Sequence, residues 1–233
     1  MSMEAVVLDT DGVITDSARV HATAWKTAFD VYLNERQAGQ RPFDAHDDYL
    51  RYVDGKSRHD GALAFLDSRG LDPAEDDVLA VTADKEALFT NQLREHGIDA
   101  YPGTIRLLHV LRSAGIPRAA ASASRHAPEL LDHAGVRDLF DTLVDGAEAA
   151  RLNLPGKPDP ALFLEAARRL GVPAARTAVV EDALAGVEAG RRGGFGLVIG
   201  VDRARTPATR AALLDHGADI VVDDLADLLV SED

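Results

Sequence analysis

The chain has 233 residues, 46% hydrophobic and 27% charged, with a formal net charge of −14 and no cysteine. An acidic chain of this kind is a poor partner for nucleic acid or an anionic membrane, both of which are held mainly by Lys and Arg neutralising phosphates. Without cysteine there are no disulfides, no thiolate catalysis and no cysteine metal sites.

In chain order, "EAVVLD" (residues 4–9) is a β-branched run that predicts a buried parallel strand ending at Asp9. Residues 17–33 follow with Val20, Ala24, Ala28 and Val31 at helical spacing and Asp16 or Ser17 as the cap. From there to residue 97 only helical patterns appear, with Gly70 and Gly97 as C-terminal stops. Beyond this block the pattern alternates. Helices are expected at residues 102–115, 127–135, 159–171, 183–194 and 207–217, and strands at 117–123, 141–145, 177–182, 196–201 and 218–224, before a short final helix. Repeated β and α units with short links imply an α/β fold: a parallel Rossmann-like sheet with helices on both faces, joined by the first strand. The expected organisation is an α/β core of residues 1–16 and 98–233, with an inserted helical cap of residues 17–97.

Ligands of open α/β sheets bind beyond the carboxyl ends of the strands. Those ends carry Asp9 and Asp11, then Ser122, then Glu181 and Asp182, with Lys157 in the loop "GKPDP". Each residue alone has an ordinary role: Asp and Gly form turns, Ser122 can cap a helix, and Lys157 can be a solvated loop lysine. Together they make complementary chemistry at one edge. A hard divalent cation such as Mg²⁺, which prefers oxygen ligands, offsets the repulsion among the carboxylates. Lys157 and Ser122 then bind phosphoryl oxygens, leaving Asp9 free to attack phosphorus.

Four segments in order, "DTDGVITD", "SAS", the lysine of "GKPDP" and "VVEDALAGVEAG", resemble the four motifs of the haloacid dehalogenase superfamily in its phosphotransferase branch. The resemblance implies that Asp9 is the nucleophile and Asp11 the general acid and base. It places Mg²⁺ on Asp9, the Asp11 carbonyl and Asp182, helped by Glu181. Asp11 also separates the chain from the dehalogenase branch, which lacks this second aspartate.

Within the insertion, "VITDSARVHATAWK" and "GKSRHDG" are similar to the β-phosphoglucomutase-like subfamily. That likeness implies substrate contacts from His21, Trp25, Gly55, Arg58 and Lys85 in the cap, and from Ala123, Ser124 and Arg125 after Ser122. Arg58 is implied to grip the phosphate distant from the metal. The implied reaction interconverts β-glucose 1-phosphate and glucose 6-phosphate through an aspartyl-phosphate and a bisphosphate. A Mg²⁺-dependent sugar-phosphate phosphatase uses the same residues, with water resolving the intermediate. A phospho-receiver signalling domain shares the carboxylates, metal and lysine, but its acceptor is not in a DxD and it has no cap. Two positions depart from the subfamily: Asp54, where a basic residue is typical, and His126, where an asparagine is.

The remaining expectations are a cytoplasmic monomer acting on a small phosphosugar. The N-terminus has no signal-peptide pattern and no apolar run reaches membrane-spanning length. "GRRGGFG" (residues 190–196) lies between a helix and a strand, the reverse of the dinucleotide-binding order, and reads as a turn. The eight histidines show no paired zinc spacing.

Overall fold

The computed structural model describes residues 3–36 and 39–229. Residues 1–2, 37–38 and 230–233, which fall within the ranges expected for core and cap, lie outside the described residues. Strand β1 (Ala5–Asp9) is followed by helices α1 (Ala18–Arg36), α2 (Arg58–Ser68) and α3 (Glu75–His96), with a π-helical turn at Tyr49–Val53 between the first two. The alternating part then runs α4 (Pro102–Ser113), β2 (Arg118–Ala121), α5 (Ala127–His133), β3 (Thr142–Val144), α6 (Gly146–Arg151) and α7 (Ala161–Leu170). It ends with β4 (Thr177–Glu181), α8 (Leu184–Arg192), β5 (Leu197–Val201), α9 (Pro207–Asp215) and β6 (Ile220–Val222), then a 3₁₀ turn at Leu225–Leu228. No described helix is long and apolar enough to cross a membrane.

The strands pair in the order β3-β2-β1-β4-β5-β6, all parallel. The chain leaves β1 toward β3 and returns through β4 on the other side, so the sheet reverses its winding beside β1. That reversal opens a crevice at the carboxyl ends of β1 and β4. Residues alternate between two buried layers. Val6, Leu8, Ala120, Val180 and Ile199 pack with Leu107, Leu108 and Leu131 on one face, and Val7, Ala119, Ala121, Val179 and Val198 pack with Phe163, Val187 and Leu213 on the other. Burial on both faces is why these strands read as continuous apolar runs.

The inserted helices carry their own core, in which Trp25, Phe29, Phe43 and Phe65 meet with ring centroids 4.2–5.0 Å apart. A smaller apolar cluster joins Ala24, Phe89 and Leu93 of the insertion to Leu130 of α5. The two linkers run side by side: the Asp16 amide donates to the Asp99 carbonyl at 3.0 Å and the Tyr101 amide to the Ile14 carbonyl at 3.0 Å. The two chain connections between insertion and sheet thus share one narrow neck.

Three details differ from the expectations. Val31 is 46% exposed, and the buried face of α1 is carried by Trp25, Phe29 and Leu33, because the aromatic cluster sets the rotation of the helix. Ser17, expected as a cap, directs its hydroxyl to Asp11 instead. A further helix, α6, follows β3, capped by Asp145, whose carboxylate accepts from the Glu148 amide at 2.8 Å. Phe65 is fully buried and touches three other aromatic rings. Phe65→Ala should cost about 3–5 kcal/mol in urea unfolding, and a loss below about 1 kcal/mol would show that the cap core does not depend on this ring.

Candidate active site

Adjacent strands β1 and β4, in register from Ala5↔Thr177 to Leu8↔Val180, deliver Asp9 and Glu181 side by side. Between them lies Lys157, which donates from Nζ to Asp9 Oδ1 at 2.5 Å and to Glu181 Oε2 at 2.7 Å. All three side chains are buried. The other Glu181 oxygen accepts from the Ala183 amide at 3.1 Å. Burial alone would discharge the lysine, but the two carboxylates hold its pKa above the ordinary value.

Two glycines make room for this crowding. Gly12 has φ of +78°, and a Cβ there would stand 1.7 Å from Asp182 Oδ2; a Cβ on Gly186 would stand 2.1 Å from Glu181 Oε2. The glycine that closes "DTDG" is therefore required twice, by the left-handed backbone and by the approach of Asp182. Asp9, Glu181 and Asp182 each offer an oxygen, and these lie within 4.8 Å of one another. Burial, then the Glu181 charge, push the Asp9 carboxyl well above the usual range, with Lys157 pulling the other way. Burial, then Asp54, Glu181 and Asp9, do the same to Asp182. A compact set of oxygen donors in mutual repulsion, two buried and the third half-buried, fits a hard divalent cation.

The Asp11 carboxylate is not part of that triad; it turns toward the cap. Its Oδ1 accepts from Ser17 Oγ at 2.5 Å and from His21 Nε2 at 3.1 Å, and Ser122 Oγ approaches Oδ2 at 3.4 Å. Lys85 Nζ lies 2.9 Å from His21 Nδ1. An ammonium has only donors, so Nδ1 accepts, and His21 is a neutral imidazole that donates from Nε2 to Asp11. Burial would raise the Asp11 pKa, but His21 and Ser17 outweigh it and hold the carboxyl well below the usual range. Burial, then Lys85, lower the His21 pKa, and burial pushes Lys85 down to about 8. The imidazole stacks on Phe89 with centroids 4.1 Å apart, which fixes its plane.

A cavity of about 290 Å³ opens between cap and sheet edge. Asp9, Asp11, Glu181 and Asp182 form one end of it, with Lys157 among them. Lys56, Arg58, Arg125 and His126 also line it. Of the remaining expected residues, Trp25, Gly55, Ala123 and Ser124 line the cavity too, whereas Ser122 is fully buried behind it, its Oγ accepting from the Ser124 amide at 3.0 Å. Trp25 has most of its ring in the cap core and lies 5.6 Å from Lys85 Nζ. The cap rests on the core: a Cβ on Gly55 would be 2.7 Å from Ala183 Cβ, and one on Gly156 would be 2.6 Å from Asp60 Oδ2.

Many of the residues lining the cavity were not among the expected site residues, and Asp54, Tyr49, Glu86, His126 and Lys56 bring polar or charged groups to it. Asp54 is half-buried, and desolvation, then the charge of Glu181, pushes its carboxyl up to about 7. Tyr49 hydrogen-bonds this carboxyl. Glu86 pairs with Arg58 at 2.5 Å and with His126 at 2.5 Å. Asp54 and His126 are visible in the sequence as departures from the subfamily, but Tyr49 and Glu86 carry no motif.

The chain is similar to known proteins in sequence and in fold. The model of the haloacid dehalogenase-like hydrolase family matches residues 3–194. A β-phosphoglucomutase from Mycobacterium bovis is 41% identical over 240 aligned positions, covering 97% of this chain and 92% of its own. A phosphorylated carbohydrates phosphatase from Thermotoga maritima is 28% identical, covering 93% and 92%. The crystal structure of a β-phosphoglucomutase from Clostridium difficile superposes with a TM-score of 0.76 at 26% identity, covering 97% of this chain and 93% of that one.

The His21 tautomer gives a direct test. Lys85→Met removes both the charge that disfavours the imidazolium and the donor to Nδ1, so the His21 pKa should rise, as read from histidine ring signals in an NMR titration. A fall, or no movement, would show that Lys85 does not set the state of His21.

Proposed function

The chain belongs to the haloacid dehalogenase-like hydrolase family, and we propose that within it the protein interconverts β-glucose 1-phosphate and glucose 6-phosphate, with Asp9 carrying the transferred phosphoryl group. The observation that supports this best is the Lys85–His21–Asp11 chain, which links the cap to the carboxylate beside Asp9. The Asp11 carboxylate is ionised and so can accept a proton; the hydroxyl and imidazole donors that hold it ionised also lower its basicity, which rises when they are released. In the proposed cycle Asp9 is already phosphorylated when the sugar arrives. A sugar hydroxyl attacks phosphorus, its proton passes to Asp11, and the bond to the Asp9 oxygen breaks, giving a bisphosphate. The bisphosphate turns over, Asp9 attacks its other phosphorus, and Asp11 returns the proton to the leaving sugar oxygen.

Mg²⁺ would be held by Asp9, Asp182 and the Asp11 carbonyl, beside Glu181, and when bound it would offset negative charge on the carboxylates and phosphoryl oxygens. Lys157 steadies Asp9 through Oδ1 and Glu181 through Oε2 and supplies a positive charge beside them. Two phosphate positions require two cationic ends. Arg58, Lys56 and Arg125 supply one of them, within a cavity whose volume is at the low end for small-ligand sites. Cap closure around the sugar would exclude the water that makes a phosphatase of the same machinery.

The deciding measurement follows glucose 6-phosphate and free phosphate in parallel from β-glucose 1-phosphate. We expect glucose 6-phosphate to dominate, after a lag that catalytic amounts of glucose 1,6-bisphosphate shorten. Phosphate release equal to substrate consumption would make the protein a sugar phosphatase instead. Asp9→Asn should abolish both products, and Asp11→Asn should lower turnover on the order of 10²-fold or more. Near-normal turnover in either variant would overturn that residue's role.

A further inference from the structure

Glu86 connects three elements. Arg58 opens α2 and Glu86 lies on α3, both in the cap, whereas His126 lies in the core loop after β2. Arg58 Nη1 meets Glu86 Oε2 at 2.5 Å, and His126 Nε2 meets Glu86 Oε1 at 2.5 Å, so one carboxylate binds a cap cation with one oxygen and a core imidazole with the other. The second imidazole nitrogen, Nδ1, is 3.0 Å from Glu129 Oε2 on α5. A ring with a carboxylate at each nitrogen donates from both and is an imidazolium. The other groups around it are the Phe89 ring at 5.3 Å and the neutral His21 beyond.

We propose that Glu86 is a positioning residue for the distal half of the cavity: it ties Arg58 to the core through His126, so that the guanidinium is held at a fixed distance from Asp9 when a ligand's second phosphate arrives. The proposal rests on the reading of Arg58 as the anchor of that phosphate. A guanidinium offers five donors, and the ion pair to Glu86 engages Nη1, leaving others for an oxyanion. An exposed ion pair confined to the cap would orient little, because two long side chains move together. The second oxygen changes this, since it crosses the boundary between cap and core. The cap-side cation is then in register with the phosphoryl site before ligand binds, and that ordering is not charged against binding the distal phosphate.

The test compares wild type, Glu86→Gln, His126→Gln and the double variant. The probes are β-glucose 1-phosphate with catalytic bisphosphate, p-nitrophenyl phosphate as a ligand with no second anion, and hydrogen exchange of residues 54–60 and 122–128 in the ligand-free protein. Each single variant should lower kcat/KM for the phosphosugar roughly 10- to 100-fold, and the double variant no further, because both break one bridge. Hydrolysis of the aryl phosphate should fall far less, and exchange should accelerate in both segments. Losses that multiply in the double variant, or that match on the two substrates, would overturn the proposal. Should Glu86→Gln loosen the cap core itself, seen as a lowered Tm, His126→Gln gives the same readouts from the core side. If wild type turns over no phosphosugar, the functional reading fails. The exchange measurement still decides the bridge, with unchanged protection in both single variants refuting it and faster exchange in both segments supporting it.

Discussion

An ammonium group buried between two carboxylates sets the terms for the sheet edge. Taking Lys157, Asp9 and Glu181 out of water is costly, and is offset only where the geometry lets every charge find a partner. The fold meets that condition by pairing β1 directly with β4, so that two strand ends bring Asp9 and Glu181 together, and by routing the lysine loop beneath them. Small residues complete the arrangement. Gly12 and Gly186 stand where any side chain would collide with Asp182 or Glu181.

The same constraint divides the two aspartates of "DTDG". Asp9 belongs to the buried ionic cluster of the core, while the Asp11 carboxylate is held by Ser17 and His21, which are at and just inside the start of the cap's first helix. The neck that joins cap and core therefore also joins the two ends of the chemistry. Any motion of α1 about the paired linkers at Asp16–Asp99 and Ile14–Tyr101 would change the hydrogen bonds that keep Asp11 ionised. Coupling between cap position and proton acceptance follows from this connectivity without a separate signalling element.

Electrostatics also organise the cavity along its length. The core end is rich in carboxylates around the buried Lys157, and the cationic side chains Arg58, Lys56 and Arg125 also line the wall, together with Glu86 and Asp60. Asp54 interrupts this pattern. It brings a further, half-buried carboxyl next to Asp182, and its pKa near 7 reflects the loss of hydration first and the charge of Glu181 second.

Much of the fold was legible because its signals are local and periodic. Apolar runs marked the strands, helical spacing marked the insertion, and turn residues separated them, while the carboxylates, serine and lysine sat where each strand ended. Val31 shows where periodicity stops: it had the right spacing for the buried face of α1, yet Trp25, Phe29 and Leu33 take that face, where Phe29 meets the rings of Phe43 and Phe65 across the cap. The site divides in the same way. Asp9, Asp11, Glu181, Asp182 and Lys157 could be placed from the sequence, since strand ends in a parallel sheet converge wherever the chain carries them. The sequence could not show that the Asp11 carboxylate faces the cap, that Asp54 stands beside Asp182, or that Glu86 spans Arg58 and His126. Those contacts join residues from separate elements whose distance depends on how the insertion settles on the sheet, and no local period records that packing.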